Sequence, residues 1–151
     1  MSQATQDPKL LFPFLAPFYR DAVPISWFVV RLVAGLDFAI HGTEKITRLP
    51  AIFHAIANGT TASLSPQLDP THNIILAILE FGGGICIALG LFTRLFAAAA
   101  AIELAIITFG VFWPNGYKAY EYVLWWGLVM FAIALRGGGP YSLDRKIGRE
   151  L

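Results

Sequence analysis

Residues 73–113 read NIILAILEFGGGICIALGLF, then TR, then LFAAAAAIELAIITFGVFW, so two long apolar runs are separated by one Thr-Arg pair. Each run carries a single charged residue, Glu80 in the first and Glu103 in the second. A helix needs about 20 apolar residues to cross the hydrocarbon core of a bilayer. Because the connection is so short, the two helices must be antiparallel neighbours. The stretch therefore predicts a hairpin of two membrane-spanning helices, 73–92 and 95–113.

Two further stretches, 24–43 and 119–135, are apolar and long enough to span. The first begins at Pro24, a residue suited to a first helical turn. The composition agrees, with 56% hydrophobic and 14% charged residues against a usual charged share of about 25%. We predict one all-α domain over 24–136, an integral membrane four-helix bundle.

The placement of Lys and Arg predicts the orientation. One side of the bundle would carry seven of them and the other side three, and cytoplasmic loops are the ones enriched in these residues. Both termini are therefore expected in the cytoplasm. We expect residues 1–23 to form an interfacial N-terminal segment and 137–151 a cytoplasmic tail. In the loop after the first span, apolar residues at helical spacing over 46–56 predict a short amphipathic interfacial helix.

Ionisable residues inside a membrane are costly and need either a partner or a function. Asp37, His41 and Glu44 fall on one stripe of the first span, with Lys45 beside them. Glu80 is expected in the outer half of the second span. These residues therefore predict an outward-facing polar pocket.

The fourth span adds Glu121, at its outer edge, and Trp125 one turn below on the same face. His41, Glu80 and Glu121 are the candidates for proton exchange, because histidine titrates near neutrality and carboxyl groups can hold protons. The candidate ligand contacts are Asp37, Glu44, Lys45, Gly83, Gly84 and Trp125. The alternative is a mutually satisfied polar network, with Gly83 and Gly84 serving only close helix packing.

Arg31 and Glu103 are expected at equal depth in the first and third spans. Their opposite charges predict a structural ion pair that fixes the register of the two helices.

We expect no metal or haem site. Carboxylate-bridged di-iron bundles need a Glu-x-x-His pair on each of two helices, and only His41 and Glu44 have that spacing, in reversed order. His41 and His72 could both reach a haem on the outer side, but no c-type attachment motif is present. Cys86 is the single cysteine, so no thiolate cluster can form.

Three stretches together resemble the DoxX family of small four-helix membrane proteins, over about residues 26–144. They are Arg31, Gly35 and His41-Gly42 with Lys45; Glu80-Phe-Gly-Gly-Gly84 through Gly90-Leu-Phe-Thr-Arg94; and Gly137-Gly-Gly-Pro-Tyr141-Ser-Leu-Asp144. The resemblance implies a bacterial or archaeal plasma membrane protein. Some members are subunits of thiosulfate:quinone oxidoreductases or are associated with quinol oxidation, whereas others belong to oxidative-stress complexes.

The sequence and the resemblance together favour a membrane subunit of a quinone-linked redox system. Such a subunit would need a redox partner, because the chain has no nucleotide-binding fingerprint or cluster cysteines. The main alternative is a non-catalytic accessory or assembly subunit of a larger membrane complex. Besides the lipid bilayer, the expected partner is a membrane or redox protein, or further copies of this chain in a homo-oligomer. A transport protein ranks last. A net charge of +1 gives no reason to expect a nucleic-acid partner.

Overall fold

The computed structural model describes residues 11–59 and 70–148, apart from the side chains of 55–56 and 70–72. Within those ranges every regular element is helical. The elements are a 3₁₀ turn Pro13–Leu15, α1 Ala16–Ala57, α2 Pro70–Ile78, a π-helical turn Leu79–Gly83, α3 Gly84–Leu89, α4 Thr93–Ile106, a π-helical turn Ile107–Phe112, a 3₁₀ turn Trp113–Asn115, α5 Tyr117–Arg136 and α6 Leu143–Ile147. The predicted loop residues 60–69, the His72 side chain and the termini 1–10 and 149–151 lie outside the described part.

Three helical segments, Pro13–His54, Thr93–Asn115 and Tyr117–Arg136, are long and apolar enough to cross a membrane. The second predicted span corresponds to Asn73–Leu89, which is apolar but shorter. The all-helical class is thus confirmed, whereas the count of four spans stays a prediction.

The first helix is much longer than the sequence predicted. α1 runs unbroken for 42 residues, about 63 Å at 1.5 Å per residue, and includes both the N-terminal segment from Ala16 and the separate interfacial helix expected at 46–56. Pro24, expected at a helix start, and Pro50 both lie inside it. Glu44 and Lys45, where we predicted a break, favour helix as residue types, so nothing in the local sequence ends the helix there.

Glycines bring α1 against the second apolar helix. A Cβ atom added at Gly35 would collide with Ala88, and one added at Gly84 would lie 2.5 Å from the backbone nitrogen of Ala39. Gly42 makes the same close approach to Phe81. Small residues allow this approach of two backbones, which is a common way for helices to pack in membranes.

A buried clamp at one end of the bundle joins α1, α3, α4 and the segment after α5. Arg31 is fully buried and its guanidinium donates hydrogen bonds to the carbonyl oxygens of Ile87 (2.6 Å), Ala88 (2.7 Å) and Tyr141 (2.9 Å). These carbonyls lie where α3 ends and where the chain returns after α5. Arg31 therefore satisfies backbone acceptors that a helix end leaves open.

Asp144 completes this clamp from the segment after α5. Its carboxylate accepts hydrogen bonds from the backbone N–H groups of Phe92 (2.7 Å) and Thr93 (2.9 Å) and from the Thr93 hydroxyl (2.8 Å). It also compensates the charge of Arg31. Asp144 thus caps the first turn of α4, although 51 residues separate it from Thr93.

The sequence predicted an ion pair between Arg31 and Glu103, but the structure does not pair these two residues. Arg31 lies at the level of the turn between α3 and α4, since its guanidinium reaches Gly90. Glu103 lies ten residues beyond Thr93, where α4 begins, about 15 Å further along the helix. The prediction counted the depth of each residue from assumed ends of the spans. Those ends differ from the ends of the helices in the structure, so the two residues do not lie at the same depth.

Candidate functional site

A cavity of about 420 Å³ lies within the bundle, where α1 and α5 face each other. Its wall is mostly apolar and includes side chains from α1, α2, α4, α5 and both π-helical turns. The lining residues are Asp37, Phe38, His41, Lys45, Leu76, Glu80, Leu104, Ile107, Val111, Phe112, Tyr122, Val123, Trp126 and Met130. The polar residues are few, and three of them occur at four-residue intervals along one stripe of α1.

This stripe consists of Asp37, His41 and Lys45, and the structure places all three in the cavity wall together with Glu80. Lys45 Nζ lies 2.5 Å from Glu80 Oε1, so an ion pair joins α1 to the π-helical turn of the second apolar helix. Lys45 is 22% exposed and Glu80 only 6% as side chains. The structure therefore brings these four residues together in one cavity wall, as the sequence predicted.

The imidazole of His41 is held by Asp37. Its Nδ1 lies 2.9 Å from the carbonyl oxygen of Asp37 and 3.7 Å from the Asp37 carboxylate. A carbonyl oxygen can only accept, so Nδ1 carries the proton in this arrangement. In a neutral His41 the Nε2 atom is then the basic nitrogen, which can take up a proton.

Two aromatic residues of α5 that the sequence analysis missed complete the polar end of the cavity. Tyr122 donates a hydrogen bond from its hydroxyl to Asp37 Oδ2 at 3.1 Å, and its ring lies 6.2 Å from that of His41. Trp126, one turn further along, packs edge-on against Tyr122. These two residues therefore form the aromatic wall of the pocket.

Glu121 and Trp125, the residues predicted from the fourth span, do not line this cavity. Trp125 is 61% exposed on the outside of α5, and Glu121 lies 3.5 Å from Lys118 on its own helix. The prediction placed the charged Glu121 on the inner face. The structure instead places Tyr122, one residue further along, in the cavity wall, which shifts the cavity-lining face of α5 by about 100°.

The remaining predicted ligand contacts separate into two groups. Glu44 lines a second, smaller cavity of about 160 Å³ with His41, Lys45, Arg48 and Glu80. Gly83 and Gly84 line neither cavity, because Gly83 faces Phe96 of α4 and Gly84 faces Ala39 of α1. Both glycines therefore serve helix packing, the alternative left open by the sequence.

Glu103 also lies beside this site, although the sequence had predicted that it pairs with Arg31. It is 5% exposed, and its carboxyl group lies within hydrogen-bonding reach of Glu80 and close to Lys45. A signal was available in the sequence. Glu80 stands eleven residues before Leu91 and Glu103 eleven after Phe92, and residues at equal distance from the turn of an antiparallel hairpin lie at the same level.

The model of the DoxX family matches residues 26–113, which is more than half of the chain. The chain belongs to the DoxX family. This DoxX protein is 29% identical over 129 residues to an uncharacterised protein of Haemophilus influenzae, and the match covers 80% of this chain and 90% of the relative. No solved structure matches it.

The match to the DoxX family covers Asp37, His41, Lys45, Glu80 and Glu103, whereas Tyr122 and Trp126 lie beyond it. With its apolar helices, this DoxX protein is a multi-pass membrane protein. Its site combines an apolar cavity, a buried ion pair and a histidine with one basic nitrogen. Such an arrangement can bind a small amphipathic molecule and exchange protons with it.

Proposed function

We propose that this DoxX protein is a membrane subunit of a quinone-linked redox system and that its cavity binds the head group of a quinone or a similar hydrophobic redox ligand. The observation that carries the proposal is the cavity itself. It lies inside an apolar helical bundle and is mostly apolar, with Asp37, His41, Lys45 and Glu80 along one side.

The size and wall of the cavity suit a flat ring with polar substituents. A volume of about 420 Å³ falls within the usual range for small-molecule pockets, about 300–1,000 Å³. Trp126 and Phe112 supply aromatic surface for the ring. Lys45, whose ammonium carries three N–H donors, can donate to a ligand oxygen while it remains paired with Glu80.

Reduction of a quinone to a quinol consumes protons as well as electrons, and this chain's residues can supply the protons. His41 lines the cavity, and a protonated imidazole can donate a proton to a ligand oxygen. Glu80 also lines the cavity and is the second candidate for proton exchange with the ligand. The electrons would come from a partner subunit.

The proposal includes a location and an orientation. The chain would lie in a bacterial or archaeal plasma membrane and cross it four times, with both termini in the cytoplasm. Its polar stripe would then face outwards. The excess of Lys and Arg on the side of the termini supports this orientation.

A binding measurement tests the proposal directly. The purified protein in lipid nanodiscs is titrated with a short-chain ubiquinone and a short-chain menaquinone, and binding is followed by calorimetry. We expect His41→Ala and Glu80→Ala to weaken binding of the preferred quinone at least tenfold. Glu121→Ala is the matched control, because Glu121 lies outside the cavity. No binding by the wild type, or equal binding by all variants, would overturn the proposal.

A second function, as an accessory or assembly subunit, is favoured by a groove on the outside of α4 and α5. It has a volume of about 620 Å³, and small residues including Ala98, Ala101, Ala105 and Gly127 line it. A groove with small residues admits the close approach of another membrane helix. If the chain serves as an accessory subunit, Gly127→Leu should abolish recovery of a partner subunit after gentle extraction, whereas His41→Ala should not.

A further inference from the structure

We propose that Glu80 and Glu103 share one proton, and that with Lys45 they form a buried site from which a proton is exchanged through the polar cavity beside Glu80. This site adds proton storage to the proposed function. It consists only of this chain's own side chains, so it can be tested without a quinone.

The first argument is the lack of hydrogen-bond donors around the two carboxyl groups. Both Glu80 and Glu103 are 5% exposed. Within the described residues, no donor meets either oxygen of Glu103 or the Oε2 atom of Glu80. Buried polar atoms are satisfied in the great majority of cases, so these three oxygens indicate a missing hydrogen.

The second argument is that the two carboxyl groups lie within hydrogen-bonding reach of each other. Two ionised carboxylates are acceptors only and repel each other, whereas a carboxylic acid donates one hydrogen bond to a carboxylate. One proton between Glu80 and Glu103 therefore removes the repulsion and joins two of these three oxygens in a hydrogen bond. Paired carboxyl groups at such short range do not both ionise.

The charge balance leads to the same state. With one shared proton, the single negative charge of the pair is neutralised by Lys45, which lies 2.5 Å from Glu80. With both carboxyl groups ionised, the group would carry a net negative charge inside an apolar bundle. An uncompensated charge in that environment is strongly disfavoured.

Access to the pair comes from two cavities that both contain Glu80 and Lys45. The larger is the apolar-walled cavity already described. The smaller one is lined only by ionisable residues and includes Glu44 and Arg48, which are both exposed. A proton can therefore pass from the exposed part of α1 to Glu80, and from Glu80 to Glu103 or to a ligand.

Other titratable groups adjoin the pair from the helices around it. α1 contributes Lys45 and, along the two cavities, Asp37, His41, Glu44 and Arg48, while α5 contributes Tyr122. Asp37 and His41 are engaged with each other and Asp37 also with Tyr122. Lys45 is the cation in direct contact with Glu80, so it determines the charge balance of the pair.

Infrared spectroscopy tests the proposal, because a protonated carboxylic acid has a carbonyl stretching band well separated from those of carboxylates. We expect such a band in the wild type at neutral pH, and its loss in Glu103→Gln and in Glu80→Gln. In each variant the remaining carboxylate pairs with Lys45 alone. Glu121→Gln, a matched change at a carboxylate outside both cavities, should keep the band.

Thermal stability against pH gives a second readout. The folded wild type would hold one more proton than the unfolded chain at neutral pH, so its midpoint of unfolding should fall as the pH rises. Glu103→Gln retains the shape of the protonated acid and should abolish that fall. A wild type without the protonated band, or a band that persists in both Glu103→Gln and Glu80→Gln, would overturn the proposal whether or not a quinone binds.

Discussion

Tyr122 on α5 donates a hydrogen bond to the Asp37 carboxylate on α1 over 3.1 Å, and this bond joins two helices on either side of the main cavity. The same Asp37 positions His41 through its backbone carbonyl. The Asp37 carboxylate, which accepts the hydrogen bond from Tyr122, also lies 3.7 Å from His41 Nδ1.

Removing that hydroxyl should loosen the contact between α1 and α5. We expect Tyr122→Phe to lower the free energy of unfolding by about 1 kcal/mol, the usual net value of one hydrogen bond. Tyr117→Phe is the matched control, because Tyr117 is similarly exposed and its hydroxyl makes no hydrogen bond among the described residues. Thermal unfolding in detergent measures both. Equal effects of the two changes would show that the Tyr122–Asp37 bond does not stabilise the bundle.

The inward face of α5 can be identified by fluorescence. Quinones quench tryptophan emission at short range, so a ligand in the cavity should quench Trp126. We expect Trp126→Phe to lose most of the ligand-induced quenching and Trp125→Phe to retain it, since Trp125 is exposed and does not line the cavity. The reverse result would mean that the ligand binds outside the cavity described here.

The clamp at Asp144 should be among the most sensitive points of the fold. Asp144→Ala leaves two backbone N–H groups, the Thr93 hydroxyl and the buried Arg31 without their acceptor or counter-charge. We expect a loss of about 3–5 kcal/mol, because each buried donor left without an acceptor costs about 1–3 kcal/mol. Asp21→Ala removes an exposed carboxylate beside Arg20 and should have no measurable effect in the same unfolding assay.

Two neighbouring glycines provide a matched test of helix packing. Gly84→Ala forces a methyl group against the α1 backbone, whereas the same change at Gly82 enters open space. We expect Gly84→Ala to cost about 1–3 kcal/mol, as overpacking does, and Gly82→Ala to be tolerated. If both variants are as thermally stable as the wild type, α1 and α3 can move apart to admit the methyl group without a loss of stability.

The proposed orientation predicts which loops are reachable from outside the cell. In a Cys86→Ser background, a cysteine introduced at Asn115 should react with a membrane-impermeant maleimide in intact cells. A cysteine introduced at Lys146 should react only after the membrane is opened. Labelling of both sites from the same side would contradict the single crossing by α5 between them and the assigned orientation.

Hydrophobic length and charge were enough to predict the helical class, the short turn between the second and third apolar helices, and the stripe of Asp37, His41 and Lys45. These features depend on local pattern alone. Helix rotation does not. A polar residue, Glu121, was taken to mark the inner face and pointed to Trp125, whereas the tryptophan that lines the cavity is Trp126. In this fold Glu121 instead lies 3.5 Å from Lys118 on its own helix and outside the cavity.

The pairing of buried charges was harder to predict because it requires the relative depth of helices. Arg31 was assigned to Glu103, yet it binds backbone carbonyls, which no pattern of side-chain charges can reveal. The role of Asp144 was also not foreseen, although it lies in a motif that pointed to the family. Counting residues outwards from the turn at Leu91 would have placed Glu103 beside Glu80.

The contacts of Asp144 also bear on the order in which the fold can form during synthesis. A ribosome makes α1 to α5 before it reaches residue 144, so α4 and the buried Arg31 must enter the membrane without the carboxylate that later caps and neutralises them. The bundle therefore remains incompletely assembled through the translation of its apolar helices, and the short polar segment that follows α5 completes it.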